Sequence, residues 1–116
     1  MTETERILTY LDDILTTSAK IGQFIDGLTY DEFQQDEKTI FAVVRALEII
    51  GEAAIKLPES FREAHPDIPW RSMSGMRNKL IHNYAVVNPL VVWKTAVEDI
   101  PRLLPEIKRI ISSLQP

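Results

Sequence analysis

The stretch from Thr39 to Leu57 constrains the fold more than any other part of this 116-residue chain. Apolar residues there recur at helical spacing on several sides. The polar positions follow one another at spacings of three, four and four, and they are Arg45, Glu48, Glu52 and Lys56. They form one narrow stripe, so most of the helix circumference is apolar. A helix of this kind must be covered on more than one side, which predicts the central helix of a bundle.

Two helices are predicted in the first half of the chain. The first spans Glu5 to Ile25 and ends before a glycine, the usual residue after a helix. The second, central helix is predicted to run without a break from Tyr30 to Leu57. Thr29 and Glu32 have the spacing of a capping box that opens it, and the stripe Arg45 to Lys56 is interpreted as a row of salt bridges.

The second half of the chain predicts only further helices. A short helical turn is expected over 59–64 and a third main helix from Trp70 to about Tyr84. The last helix is expected over 90–99 and 101–114, with Asn88 as its N-cap and Pro101 as a bend or break. No convincing strand or hairpin signal is present. We therefore predict an all-α, up-and-down bundle of four to five helices in a single domain, residues 1–116.

Composition excludes several classes of protein. The chain has no cysteine and a net charge of −4, which argues against a disulfide scaffold and against a protein that coats nucleic acid. The N-terminal residues are acidic, and no apolar run approaches the length of a membrane span, so a cytoplasmic location is expected. His65 and His82 do not have metal-ligand spacing, and no glycine-rich phosphate loop occurs. We expect no metal site and no cofactor, and we expect His65 to be exposed and without a role.

The segment from Arg77 to Tyr84 carries the residues with the clearest chemical potential. Arginine is a forked, permanent cation suited to phosphate, and His82 can exchange protons near neutral pH. The segment from 70 to 87 contains three basic residues and no acid. On an ideal helix Arg77 and His82 lie about 140° apart. Either the helix ends or distorts before His82, or two chains share the site; the very apolar central helix favours a homodimer.

The same helix predicts a buried stripe of Trp70, Met73, Met76, Leu80 and Tyr84, with Arg77 on its flank. Asn78 and His82 point away from the core, where Asn78 can bind phosphate or orient the histidine. Other interpretations remain open for each residue. Arg77 could pair with Glu48 or Glu52, His82 could cap a helix end, Asn78 could make an ordinary interface contact, and Tyr84 could be a core residue.

Arg77, His82 and Tyr84 together resemble the R-x-x-x-x-H-x-Y signature of HEPN-domain ribonuclease toxins, in particular the HepT-like branch. The resemblance covers nearly the whole chain, because further segments also match: 45–54, 68–70, 75–78 and 92–93. It implies a homodimeric HEPN bundle with a metal-independent endoribonuclease site at the dimer cleft. In that site Arg77 and His82 are catalytic, and we predict that Asn78 supports the binding of phosphate or RNA.

The resemblance also implies a partner. In the HepT-like branch a small nucleotidyltransferase antitoxin silences the toxin by adding AMP to the tyrosine that corresponds to Tyr84. An alternative stays open, because HEPN domains include non-catalytic members. The chain would then be a nucleotide- or substrate-binding subunit of a minimal nucleotidyltransferase.

Overall fold

The structure is a computed structural model that describes residues 1–83 and 88–115, with residues 81–83 described by their backbone alone. All regular elements in this part of the chain are helices, which confirms the predicted all-α bundle. The helices pack in a row: α5 lies on α3, α3 lies on α1, and α1 lies on α7. The two short helices α2 and α6 cover the remaining side of α3.

Helix α1 spans Glu3–Ile25, beginning two residues before the predicted start. Thr2 caps it by accepting a hydrogen bond from the backbone N–H of Glu5 at 3.1 Å. The helix ends at Ile25, and Gly27 follows it with a φ of 76°, in the left-handed region that glycine adopts without strain. Its core-facing side chains recur at helical spacing and include Ile7, Leu11, Ile14 and Ile21.

The predicted continuous helix from Tyr30 to Leu57 is wrong, because the chain forms two helices there. Helix α2 spans Tyr30–Gln35 and α3 spans Glu37–Lys56. Asp36 separates them: its carboxylate accepts hydrogen bonds from the N–H of Thr39 at 3.0 Å and from the hydroxyl of Thr39 at 2.6 Å. Asp36 thereby acts as the N-cap of α3, and its own backbone is not helical. The capping box that opens α2 is present as predicted.

Helix α3 is the central element, as its sequence predicts. It contacts α1, α2, α5 and α6, and it buries eight residues: Val43, Val44, Ala46, Leu47, Ile50, Gly51, Ala53 and Ala54. Four of these are glycine or alanine, which allows neighbouring helices to approach closely. On the outer side Arg45 pairs with Glu48 at 3.1 Å and with Glu52 at 3.7 Å. The predicted row of salt bridges is confirmed for these three residues, but Lys56 forms no salt bridge in the described part of the chain.

The segment between α3 and α5 fixes the start of α5. Helix α4 spans Glu59–Ala64, as predicted, and α5 spans Trp70–Asn83. The expectation of an exposed His65 is wrong: the residue is half-buried, with its ring centroid 4.6 Å from that of Phe61. The His65 carbonyl also accepts a hydrogen bond from Trp70 Nε1 at 3.0 Å. His65 therefore helps to anchor the first residue of α5 through its backbone carbonyl, while its ring packs on Phe61 of α4.

The last helical segment differs from the prediction in where its distortion lies. Helix α6 spans Pro89–Lys94, and the side chain of Asn88 caps it by accepting a hydrogen bond from Leu90 N at 2.8 Å. A π-helical turn, Thr95–Asp99, then leads directly into α7, which spans Ile100–Leu114. The helix passes through Pro101 without a break. Pro101 has no N–H to donate, and its ring crowds the preceding turn of the helix. The π turn before it is wider than an α-helical turn and so gives the ring room.

Helix α6 is held against α2 by aromatic contacts. The Trp93 ring lies 5.0 Å from that of Phe33 and 6.1 Å from that of Tyr30, measured between centroids. Phe33 is fully buried, so this cluster joins the short helices to the core. In the described ranges, no helix has the length and the apolar character required to cross a bilayer.

Candidate functional site

Arg77 lies at the contact between α5 and α3, directly over Gly51. A Cβ atom built on Gly51 would lie 2.3 Å from the Cβ of Arg77 and 2.8 Å from the carbonyl oxygen of Met73. The two helix backbones are therefore closer here than any residue with a side chain on α3 would allow. The sequence reasoning did not identify this role of Gly51; the signal was a glycine inside a strong helical pattern, where glycine is unfavourable.

The guanidinium of Arg77 is oriented but not neutralised by the residues around it. Its Nη1 donates a hydrogen bond to Oδ1 of Asn78 at 3.0 Å. Its Nε is buried without a hydrogen-bond partner. Over residues 1–83 and 88–115, no carboxylate forms an ion pair with Arg77. The arginine is thus a half-buried cation that can accept an anionic partner from outside.

Arg77 does not pair with Glu48 or Glu52, so this alternative interpretation of Arg77 is wrong. Both carboxylates bind Arg45, at 3.1 Å and 3.7 Å respectively. Glu48 lies three positions before Gly51 on α3 and Glu52 directly follows it. Glu48 and Glu52 are the acids nearest to Gly51 along α3, and both form ion pairs with Arg45 instead of Arg77.

The outer face of α5 is polar and carries no acid. Arg71, Asn78 and Lys79 are exposed, and the described part of the helix contains no aspartate or glutamate. On the opposite face Trp70 and Leu80 are buried at 7% and 1% exposure. The two methionines of the predicted stripe, 73 and 76, are half-buried against the core. The predicted division of α5 into an inner and an outer face is confirmed for these residues.

The backbone of α5 is helical through Asn83, so the helix does not end before His82. The separation of about 140° between positions 77 and 82 therefore holds for the backbone directions. The side chain of His82 and the whole of Tyr84 lie outside the described residues.

Arg77 and Asn78 do not line either of two cavities beside α5. One, of about 430 Å³, separates α5 from α7 and has largely apolar walls that include Leu47, Met73, Met76 and Leu103. The other, of about 470 Å³, lies at the start of α5 beside Arg62 and Arg71. Asn78 is exposed and Arg77 is half-buried against α3, outside both cavities. Among the described residues, no group of three potential ligand side chains could hold a metal ion.

Comparison with known proteins gives a consistent result. The family model described as "Ribonuclease HepT-like" matches residues 14–110. A protein of Thermococcus cleftensis named "Probable ribonuclease HepT" is 51% identical over 94 residues, covering 81% of this chain and 86% of that protein. "Putative RNase MJ0127" of Methanocaldococcus jannaschii is 41% identical over 106 residues, covering 91% of this chain and 88% of that protein.

No solved structure matches the chain significantly. The family match begins within α1 and ends within α7, so it includes the whole of α3 and the described part of α5. Arg77, Asn78 and the Gly51 contact thus lie within the matched region. The all-α bundle, the family model and the identity with these relatives agree, and the chain belongs to the HepT-like family of HEPN proteins.

Proposed function

We propose that the protein is the toxin of a toxin–antitoxin pair, an endoribonuclease that cleaves RNA without a metal ion at a site formed by two copies of the chain. The observation that carries the proposal is the state of Arg77. This residue of α5 packs against Gly51 of α3, and its cation has no acidic partner in the described ranges. Membership in the HepT-like family and the names of the relatives support ribonuclease activity.

In the proposed reaction His82 acts as the general base. It accepts the proton of the RNA 2′-hydroxyl while that oxygen attacks the adjacent phosphorus. The bond between O2′ and phosphorus forms as the bond between phosphorus and O5′ breaks. His82 then gives the proton that it has accepted to the O5′ leaving group, so one histidine serves each site and the step is balanced. The products are a 2′,3′-cyclic phosphate and a 5′-hydroxyl, and no water molecule enters this step.

Arg77 and Asn78 bind the phosphate that reacts. Negative charge grows on the nonbridging oxygens in the transition state, and a preorganised guanidinium stabilises it. Its fork can give two parallel hydrogen bonds to phosphate, which fixes orientation as well as charge. Asn78 is exposed beside it and adds a neutral donor for the RNA.

The second copy supplies what one α5 helix lacks. Positions 77 and 82 diverge by about 140° on a single helix, so one phosphate cannot be gripped by both from the same face. A two-fold axis beside α5 would bring the arginine of one protomer towards the histidine of its partner. Asn78 is exposed beside the half-buried Arg77 on a helix that packs mainly on α3, and this exposed side is accessible to a second copy.

Regulation is proposed to act through Tyr84. A nucleotidyltransferase antitoxin would transfer AMP from ATP to the phenol oxygen, which forms a bond to the α-phosphorus as pyrophosphate leaves. Two residues from His82, the added phosphate would bring negative charge to the RNA-binding face. Intact-mass analysis of the protein, alone and after co-expression with the antitoxin, tests this step. A Tyr84→Phe variant that still gains AMP would contradict the assignment.

The toxin function is tested by expressing the wild-type chain and the His82→Ala variant under the same inducible promoter. We expect growth arrest with the wild type alone. Equal growth of the two strains at equal protein levels would overturn the toxin proposal. Co-expression of the antitoxin should restore growth of the wild-type strain.

The chemistry is tested with purified protein and a short RNA in the presence of a chelator such as EDTA. Cleavage with a 2′,3′-cyclic phosphate end is expected. A matched RNA with a single 2′-deoxy nucleotide at the cleaved position should resist cleavage there, because it lacks the attacking oxygen. Binding of RNA without cleavage would instead favour the non-catalytic partner of a nucleotidyltransferase.

A further inference from the structure

We infer that Gly51 is a positioning residue for Arg77, and that the absence of a side chain at this point of α3 sets where the guanidinium lies in the active site. This inference rests on the proposed function, because it concerns the cation that binds the reacting phosphate. Gly51 itself would contact neither RNA nor the reacting atoms.

The two closest contacts involve atoms that cannot move independently of the helix, Arg77 Cβ and the Met73 carbonyl oxygen. A Cβ on Gly51 would lie 2.3 Å from Arg77 Cβ, 3.1 Å from Arg77 Cγ and 2.8 Å from the Met73 carbonyl oxygen. The first two atoms are the root of the arginine side chain, and the third is backbone. A rotamer change of Arg77 therefore cannot relieve the overlap. The turn of α5 from Met73 to Arg77 would have to move away from α3.

The other glycines within helices show that this arrangement is specific. A Cβ on Gly22 of α1 or on Gly75 of α5 would meet no atom within 4 Å. All three positions have ordinary helical backbone, since Gly27 is the glycine whose φ is positive. Glycine is less favourable than alanine within a helix. At Gly51 the close packing of Arg77 accounts for that unfavourable choice.

The position of Arg77 matters because its guanidinium has few other restraints. Its Nη1 binds Asn78, its Nε is buried without a partner, and no carboxylate in the described residues holds it. The root of the side chain, fixed against Gly51, thus determines where the fork can reach. A misplacement of about 1 Å in a catalytic group can lower the rate about 100-fold.

The test compares Gly51→Ala with the matched variant Gly22→Ala in the full-length protein. Both add one methyl group to a helix interior, but Gly22→Ala meets no neighbour. We expect Gly51→Ala to lower kcat for RNA cleavage about 10- to 100-fold with KM changed less than threefold. The pH profile of kcat should keep its shape, because His82 sets it. Gly22→Ala should keep wild-type kcat and KM.

A stability cycle tests the contact without using activity. Gly51→Ala should lower Tm by about 5 °C, although alanine favours the helix, and Gly22→Ala should not lower it. Arg77→Gly removes the Cβ that lies 2.3 Å from the added methyl group. In that background the Tm loss caused by Gly51→Ala should be smaller, and this non-additivity reports the pair directly.

The outcomes separate the inference from the proposed function. If the wild type cleaves RNA and a folded Gly51→Ala variant keeps its kcat, the positioning role is wrong and the ribonuclease proposal stands. If the wild type does not cleave RNA, the ribonuclease proposal fails, while the Tm cycle still decides whether Gly51 fixes Arg77. Additive Tm losses in the cycle would overturn the inference in either case.

Discussion

Arg77 donates a hydrogen bond from Nη1 to Oδ1 of Asn78 at 3.0 Å, so a neutral amide orients the cation. A carboxylate in the same place would orient it equally well but would cancel its charge. The choice of asparagine therefore preserves a full positive charge that a phosphate can approach. This relationship between adjacent residues yields a prediction that separates orientation from charge.

Asn78→Asp should impair cleavage more than Asn78→Ala does. Aspartate has nearly the shape of asparagine and can accept the same hydrogen bond, but it neutralises Arg77 and repels phosphate. We expect kcat/KM for RNA to fall about 10- to 100-fold further in Asn78→Asp than in Asn78→Ala. Steady-state cleavage assays at two salt concentrations measure the difference. Equal losses in both variants would mean that the charge on Arg77 is not used.

Arg45 is predicted to protect the charge of Arg77 by holding two nearby acids. It pairs with Glu48 at 3.1 Å and with Glu52 at 3.7 Å, on the same helix as Gly51. Arg45→Gln should release these carboxylates and lower cleavage about threefold to tenfold, through weaker binding of RNA to a more negative surface. The triple variant Arg45→Gln, Glu48→Gln, Glu52→Gln should regain most of the activity. No recovery in the triple variant would indicate that Arg45 acts directly on RNA.

Asp36 gives a prediction about stability and pH. Hydrogen bonds from the hydroxyl of Thr39 and then from its backbone N–H hold the pKa of the Asp36 carboxyl below its usual value. A carboxyl whose pKa is lowered by folding stabilises the protein above its usual pKa, and this contribution is lost as pH falls through the lowered pKa. Asp36→Ala should therefore lower Tm at about pH 7, and the difference from wild type should shrink towards about pH 3.

A matched control for Asp36 is Asp12→Ala, which removes an exposed carboxylate within α1. Asp12 does not cap a helix, so removal of its carboxylate should change Tm little at either pH. The two variants are compared by thermal melts followed by circular dichroism. A constant Tm difference for Asp36→Ala across the acid range would contradict the pH-linked part of the prediction.

Much of the fold was predictable because it depends on local patterns. The capping box at Thr29, the N-cap at Asn88 and the central position of α3 all follow from spacing along the chain. The break at Asp36 was missed because the helical period continues across it. The hydrogen bonds from Thr39 and the non-helical backbone of Asp36 distinguish a new N-cap there from a helix surface residue.

The positions of Arg77 and Asn78 around α5 were predictable, but the packing of Arg77 was not. Helical spacing correctly placed Arg77 on the flank of α5 and Asn78 on its exposed side. The contact with Gly51 depends on how α3 and α5 meet in space, and residues 51 and 77 share no local pattern in the sequence. Likewise, sequence left Glu48 and Glu52 as partners for either arginine. The geometry of α3 assigns them to Arg45.

A site shared between two copies predicts that two inactive variants restore activity when mixed. Arg77→Ala lacks the cation and His82→Ala lacks the base, yet a mixed dimer would contain one site with an intact arginine from one protomer and an intact histidine from its partner. Each mixed dimer has one of its two sites complete, so purified mixed dimers should show about half of the wild-type activity. The variants should be co-expressed with different tags, and mixed dimers purified through both. The control replaces His82→Ala by the double variant Arg77→Ala, His82→Ala, which cannot complete any site. Activity no higher than this control, in dimers proven to be mixed, would require both residues to act within one chain.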